Sequence, residues 1–291
     1  VDGIRAPPRS RGLGDVYKRQ SLSLTELKEF KEALPYCQKA IEISHDYPEP
    51  HYNLGLAFNE LGQLENAVAM YQKALSFKPD YAEAYNSLGN VQQKLGLHEE
   101  AVSNYEKAIA IKGDDPDAHN NLGSVLRVLS RAEEAIISFQ KALSLMPNFA
   151  EANNNLGIIF QEQGKVDQAI ECYQKSTALK PDYAGAIANL GNVVMEIGEP
   201  DKAIASYNKA LNIDPEFAEA HNNLGLTLQD LRRSDEAIAS IQKALVIKAD
   251  YADAHFNLGL TLQDLGKLVE ALASYREALS ISPDYTEVHY N

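Results

Sequence analysis

Residues 82–115 read AEAYNSLGNVQQKLGLHEEAVSNYEKAIAIKGDD, and the spacing of their apolar side chains decides the fold. Ala84, Leu88, Val91 and Leu95 recur three to four residues apart, the period of one helical face. After a break at Gly96 the period resumes with Val102, Tyr105, Ala108 and Ile109. Two antiparallel helices are predicted, with a glycine between them that enters the left-handed region without a Cβ clash. Outward from this stretch, Leu88-Gly89 recurs as Leu54-Gly55, Leu122-Gly123, Leu156-Gly157, Leu190-Gly191, Leu224-Gly225 and Leu258-Gly259, always in steps of 34 residues. An alanine follows twelve residues after each glycine (Ala67, Ala101, Ala135, Ala169, Ala203, Ala237, Ala271). Four further on stands Tyr71, Tyr105, Phe139, Tyr173, Tyr207, Ile241 or Tyr275. Gly62, Gly164, Gly198 and Gly266 repeat the break, and Pro79, Pro147, Pro181, Pro215 and Pro283 close most units. A fixed period of this length marks a repeat architecture in which each unit buries its apolar face on the next.

The order Leu-Gly, Ala, aromatic, Ala, Pro in a 34-residue unit resembles the tetratricopeptide repeat (TPR). The resemblance implies an all-α fold, a right-handed superhelical solenoid of antiparallel helix pairs. In unit consensus it is nearest the TPR arms of O-linked N-acetylglucosamine transferases and bacterial TPR-linked transferases. The family's leading tryptophan is replaced by His51, Tyr85, His119, Asn153, Ile187, His221 and His255, and the closing proline is replaced in two units by Gly113 and Ala249. The expected organisation is an unstructured, artefactual leader at 1–20, a truncated first unit at 21–47, seven complete units at 48–285 and the start of a truncated eighth at 286–291. Acidic or amide N-caps are expected at the first helices, as in Asp80-Tyr-Ala-Glu83 and Asn148-Phe-Ala-Glu151.

Composition limits the function. Of 291 residues 45% are apolar, and 41 acidic side chains against 27 basic ones leave a formal charge of −14. The acidity argues against a nucleic-acid partner. No stretch approaches the ~18 continuous apolar residues of a membrane span. Cys37 and Cys172 are too few and too far apart for a disulfide framework, so a reducing, cytoplasmic setting is expected.

Candidate binding residues are those that recur without being required by the core. Before each repeating leucine stands Asn53, Ser87, Asn121, Asn155, Asn189, Asn223 or Asn257. Asparagine is a poor interior helix residue, so its recurrence needs a reason. In the resembled family the first helices line a concave groove, which makes this column an amide ladder able to pair with the peptide bonds of an extended chain. The alternative is that the amides bond to neighbouring first helices and fix the stacking. Glu83, Asp117, Glu151, Glu219 and Asp253 recur at the helix starts, where they complement the helix dipole or select Lys and Arg in a ligand. Gln93, Gln161, Gln229 and Gln263 continue the polar face.

The histidines lie in separate units and read as semi-buried rings rather than metal ligands. No catalytic set stands out and no cofactor or metal is expected. Glu83, Asp117 and Asn155 occupy positions where chaperone-binding repeats carry the cations of a carboxylate clamp. The function expected is therefore a non-enzymatic scaffold binding an extended or helical peptide, basic or neutral, in an acidic, asparagine-lined groove. The alternative is the substrate-recruiting arm of a larger glycosyltransferase or sulfotransferase. Self-association through uncapped ends is a further expectation.

Overall fold

The computed structural model describes residues 16–17, 19–24, 29–43 and 45–283, and every regular element among them is helical. The chain divides into two compact units, residues 1–147 and 148–291. The first holds α1 (Phe30–Ile43), α2 (Pro48–Glu60), α3 (Leu64–Phe77), α4 (Ala82–Lys94), α5 (His98–Ile111), α6 (Pro116–Val128) and α7 (Ala132–Leu145). The second holds α8 (Ala150–Glu162), α9 (Val166–Leu179), α10 (Ala184–Glu196), α11 (Pro200–Ile213), α12 (Ala218–Asp230), α13 (Ser234–Ile247), α14 (Ala252–Asp264) and α15 (Leu268–Ile281). Even-numbered helices open a repeat and odd-numbered ones close it. Within each unit the two helices of a repeat pack along their length, each closing helix packs on the next opening helix, and successive opening helices touch. This is the all-α TPR solenoid. Residues 16–17 and 19–20, inside the predicted leader, are helical. The predicted start of an eighth repeat, 286–291, lies outside the described residues.

The Leu-Gly glycines set the distance between the helices of a pair. A Cβ on Gly89 would stand 2.7 Å from the Tyr105 ring, and one on Gly123 or Gly157 would stand 2.8 Å from Phe139 or Tyr173. Those rings are fully buried. The missing side chain and the large ring are therefore one steric unit, and the alanines Ala101, Ala135 and Ala169 on the same faces are also fully buried.

The turn between paired helices is left-handed at Gly62, Gly96, Gly164, Gly198 and Gly266, with φ between 69° and 77°. The remaining two repeats reach the same conformation without glycine, at Ser130 (φ 59°) and Arg232 (φ 60°). A side chain there meets the steric cost of the left-handed region. Arg232→Gly is expected to stabilise the protein by about 0.5–1 kcal/mol, the relief of strain being partly offset by glycine's larger unfolded entropy. The check is a higher urea midpoint at unchanged slope.

The caps correct the sequence reading. Tyr81 and Phe149, not Asp80 and Asn148, are the N-caps of α4 and α8, and neither helix has a side-chain cap bond. Only α6, among the described helices, has the expected kind of cap, where Asp115 accepts from the amides of Asp117 and Ala118 at 3.1 and 3.4 Å. At the other opening helices, α2, α4, α8, α10, α12 and α14, an aromatic residue takes the cap position, where its ring can pack. Tyr81 lies 5.0 Å from Tyr52, and Lys78, Lys180 and Lys248 stack over Tyr81, Tyr183 and Tyr251 at 4.4, 5.0 and 4.8 Å.

Candidate functional site

The asparagine column lies on the opening helices, and its amides reach backwards. Asn121 Nδ2 donates to Asn86 Oδ1 at 3.1 Å, Asn189 to Asn154 at 3.0 Å and Asn257 to Asn222 at 3.0 Å. Each partner lies 35 residues earlier, one more than the repeat, so the facing position on the neighbouring helix is the residue just before that helix's own column member. The same offset joins Tyr52 to Ser87, Lys94 to Asn59, Gln161 to Glu196 and Gln229 to Asp264. Two members depart from it. Asn223 finds Ala188 at that place and donates instead to Asn192 Oδ1 at 3.0 Å, and Asn53 donates to Ser21 at 3.3 Å. Ser87 replaces the amide in α4.

These bonds stitch successive opening helices together, as the stacking alternative requires, and they leave a second capacity unused. The carbonyl oxygens of Asn121, Asn189 and Asn257 accept no hydrogen bond among the described residues, whereas Asn223 Oδ1 accepts from Asn222 at 3.3 Å. Asn53 and Asn257 are buried. Asn121, Asn155, Asn189 and Asn223 are half-buried.

The glutamine column is fixed from below by the core tyrosines. Tyr105, Tyr173 and Tyr275 donate their hydroxyls to Gln93, Gln161 and Gln263 at 3.2, 2.8 and 2.6 Å, while Gln229 accepts from Thr261 at 3.0 Å. Sequence reasoning did not single out Asn90 and Asn192, which accept the Tyr105 and Tyr207 hydroxyls at 2.7 and 2.8 Å. It also passed over Asn86, Asn154 and Asn222, the acceptors of the column bonds. The signal was present as the doublets Asn120-Asn121, Asn154-Asn155 and Asn222-Asn223.

The acidic column is divided. Glu83 pairs with Lys112 at 4.0 Å and Glu151 with Lys180 at 2.7 Å. The Lys180 hydrogen bond holds the Glu151 carboxyl below its ordinary range. Glu219 and Asp253 are exposed, as is Asp117 in the first unit. The opening helices of the second unit, α8, α10, α12 and α14, carry Glu151, Glu162, Glu196, Glu219, Asp230, Asp253 and Asp264 and no lysine or arginine. Those of the first unit include Lys94 and Arg127.

The histidines have a structural task. Nε2 of His51, His119, His221 and His255 lies 3.2, 3.2, 3.1 and 3.0 Å from the carbonyl oxygen six residues earlier, so the ring clamps the turn before its helix. The three of these turns that lack proline at that place, at His45, Gly113 and Ala249, are all held this way. Among the described residues no three His, Cys, Asp or Glu side chains cluster closely enough to hold a metal. Burial lowers the pKa of His51 and of His221, with the charges of Lys73 and Lys243 acting in the same direction. A depressed folded pKa means that the unfolded chain binds the proton first. Stability is therefore full above the unfolded value of about 6.5 and falls as pH drops below it. The melting temperature is expected to fall between about pH 7 and pH 5, ahead of most carboxylate titration. His51→Tyr with His221→Tyr, which place there the residue found at Tyr85, should flatten that window in melts across the range. Burial pushes the Cys37 and Cys172 thiols up to about 11, so both are poor nucleophiles.

A helical-repeat array whose opening helices set polar columns side by side is a protein-interaction scaffold. Profiles described as "TPR repeat" match residues 55–96, 97–127, 191–231 and 233–266, and those described as "Tetratricopeptide repeat" match 114–182 and 252–285. The chain belongs to the tetratricopeptide repeat family.

Among solved structures, YrrB, described as "a TPR protein with an unusual peptide-binding site", is 30% identical with a TM-score of 0.51, over 63% of this chain and 95% of that one. The Cut9 and Hcn1 complex of the APC/C is similar in fold at 19% identity and a TM-score of 0.74. That match covers 94% of this chain and 54% of the other, so this chain spans about half of its length. PilF of Pseudomonas aeruginosa matches at 20% identity and a TM-score of 0.64, over 72% and 95%. A comparison with curated proteins finds no match. No helix among the described residues is long and apolar enough to cross a membrane.

Proposed function

We propose that the asparagine-lined face of the opening helices binds an extended peptide through its backbone, and that in the second unit this peptide is basic. The observation that carries the reading is the half-engaged column. Asn189 and Asn257 are each held in one orientation by a 3.0 Å bond to the previous opening helix and keep an unused carbonyl oxygen. A side chain already held in place loses little entropy when a ligand amide donates to it. Adjacent opening helices roughly 10 Å apart and a strand rise of about 3.3 Å give one such acceptor per ~3 ligand residues. The stitching and binding readings are therefore compatible, because they use different atoms of one amide.

The charge preference rests on the seven carboxylates of α8, α10, α12 and α14, helices that carry no lysine or arginine. Glu151 pairs with Lys180, and Glu196 and Asp264 accept from the neutral amides of Gln161 and Gln229. The peptide-binding site named for YrrB agrees with this reading. The buried free thiols support a reducing, cytoplasmic setting. The same column is what likens the chain to the arms of O-linked N-acetylglucosamine transferases, where such a face would recruit a substrate. The test is the affinity of a lysine-containing extended peptide, read by fluorescence anisotropy, for the chain and for the variant with alanine at Asn189, Asn223 and Asn257.

A further inference from the structure

On the far side of α12 from Asn223, the second unit carries a trench between α11 and α13. It consists of adjoining cavities of about 590 and 400 Å³ that share Pro215, His221, Ala239 and Lys243. Leu211, Leu224 and Leu228 line the larger one. Short side chains open it. Ala239, like Ala69, Ala205 and Ala273 at the same place, leaves room that Ile137 or Glu171 would fill, and Asn208 is shorter than the Gln72, Gln140 and Gln174 of other repeats. The lining runs along α13 from Glu236 to Ile247, about 16 Å or three helical turns. At its end Val246 is 86% exposed, where the other repeats place Ser76, Ala110, Ser144, Ala178, Asn212 and Ser280. Apolar surface thus continues beyond the floor of the trench.

Its polar groups are unevenly engaged. Glu236 is bound in two-point fashion by Arg233 at 2.8 and 2.7 Å, the Ser240 hydroxyl donates to the His221 carbonyl at 2.9 Å, and His221 is committed to Pro215. Lys243 and the amides of Asn208 and Asn212 have no hydrogen-bond or ion-pair partner among the described residues. The trench therefore presents an apolar floor, one uncompensated cation and two free amides, on a chain whose formal charge is −14. That is the complement of an apolar helical stripe flanked by carboxylates.

We propose that this trench docks an acidic amphipathic helix of a partner protein, its leucine-type stripe on Leu211, Leu224 and Leu228 and a carboxylate on Lys243. The second unit then has two faces of opposite selectivity, basic ligands on the asparagine face and an acidic helix behind it. The docking reading does not depend on the peptide reading of the other face.

The probe is a capped 14-residue helical peptide with leucine at three- and four-residue spacing and glutamate elsewhere, against a twin with lysine for glutamate. The trench variants borrow the residue another repeat carries at the same place, which protects the fold: Ala239→Ile as at Ile137, Asn208→Gln as at Gln140 and Lys243→Glu as at Glu277. The glutamate peptide should bind the intact chain, and Ala239→Ile or Lys243→Glu should weaken it at least about tenfold by anisotropy. Alanine at Asn189, Asn223 and Asn257 should leave its affinity unchanged. The lysine twin should not displace the glutamate peptide from the intact chain. The proposal is overturned if the glutamate peptide shows no binding up to about 1 mM, or binds Ala239→Ile as well as the intact chain, provided circular dichroism shows the variant folded.

Discussion

Tyr105→Ala should lower stability by about 3–5 kcal/mol, the range for removing a large aromatic side chain from a packed core. Tyr105 is fully buried, its ring fills the space that Gly89 leaves open, and its hydroxyl ties α5 to Asn90 and Gln93 of α4 at 2.7 and 3.2 Å. Truncation therefore leaves a cavity that the paired helices cannot close, since the α4 backbone on the other side has no side chain to move into it. Tyr105→Phe separates the two contributions. Phe139 fills the equivalent place in the next repeat without a hydroxyl, so the phenylalanine variant should cost only about 0.5–1.5 kcal/mol. Because contacts in a solenoid are between neighbours, the alanine variant should open α4 and α5 first, seen as lost amide protection confined to those helices. A uniform loss of protection over the whole first unit, or an alanine variant no less stable than Tyr105→Phe, would refute the steric pairing of glycine and ring.

Alanine at Asn189, Asn223 and Asn257 together should reduce affinity for a lysine-containing extended peptide by about thirtyfold, if the bonds lost from the unused carbonyl oxygens of Asn189 and Asn257 contribute about 1 kcal/mol each. The same substitutions remove the bonds to Asn154, Asn192 and Asn222, so a fall in stability of about 0.5–1.5 kcal/mol per bond is expected alongside. Aspartate at the same three positions tells the two effects apart. It loses the donor that stitches the helices and keeps an acceptor facing the ligand, so it should destabilise as alanine does yet retain binding of a basic peptide. If the alanine and aspartate variants lose affinity equally while remaining folded, the column is a stitch only and the peptide reading falls.

Much of this was legible before any coordinates. The helix pairs, the glycine opposite each ring and the left-handed turns at Gly62, Gly96, Gly164, Gly198 and Gly266 follow from spacing and local sterics, because each depends on residues within one repeat. The asparagine column was also visible, but its partners were not. Whether Asn121 faces Asn86 or the ligand depends on the register between neighbouring opening helices, and packing displaces that register by one residue from the repeat. N-caps were misplaced for a related reason. Asp80 and Asn148 suit capping chemistry, but the ring that follows each packs on its surroundings and takes the cap position, a gain that local propensity does not contain.

The sequence by itself determined the architecture, since a 34-residue period with fixed small and large positions admits one way of burying its apolar faces. Only the tertiary structure decided what the polar residues do. It showed that the column amides are half engaged between helices, that Ser130 and Arg232 adopt the glycine conformation without glycine, and that Asn208 and Ala239 line a trench behind α12. Apolar burial is set by pattern and is nearly indifferent to exact register. A hydrogen bond is directional over a few tenths of an ångström, so its partner is fixed only when the neighbouring helix is in place.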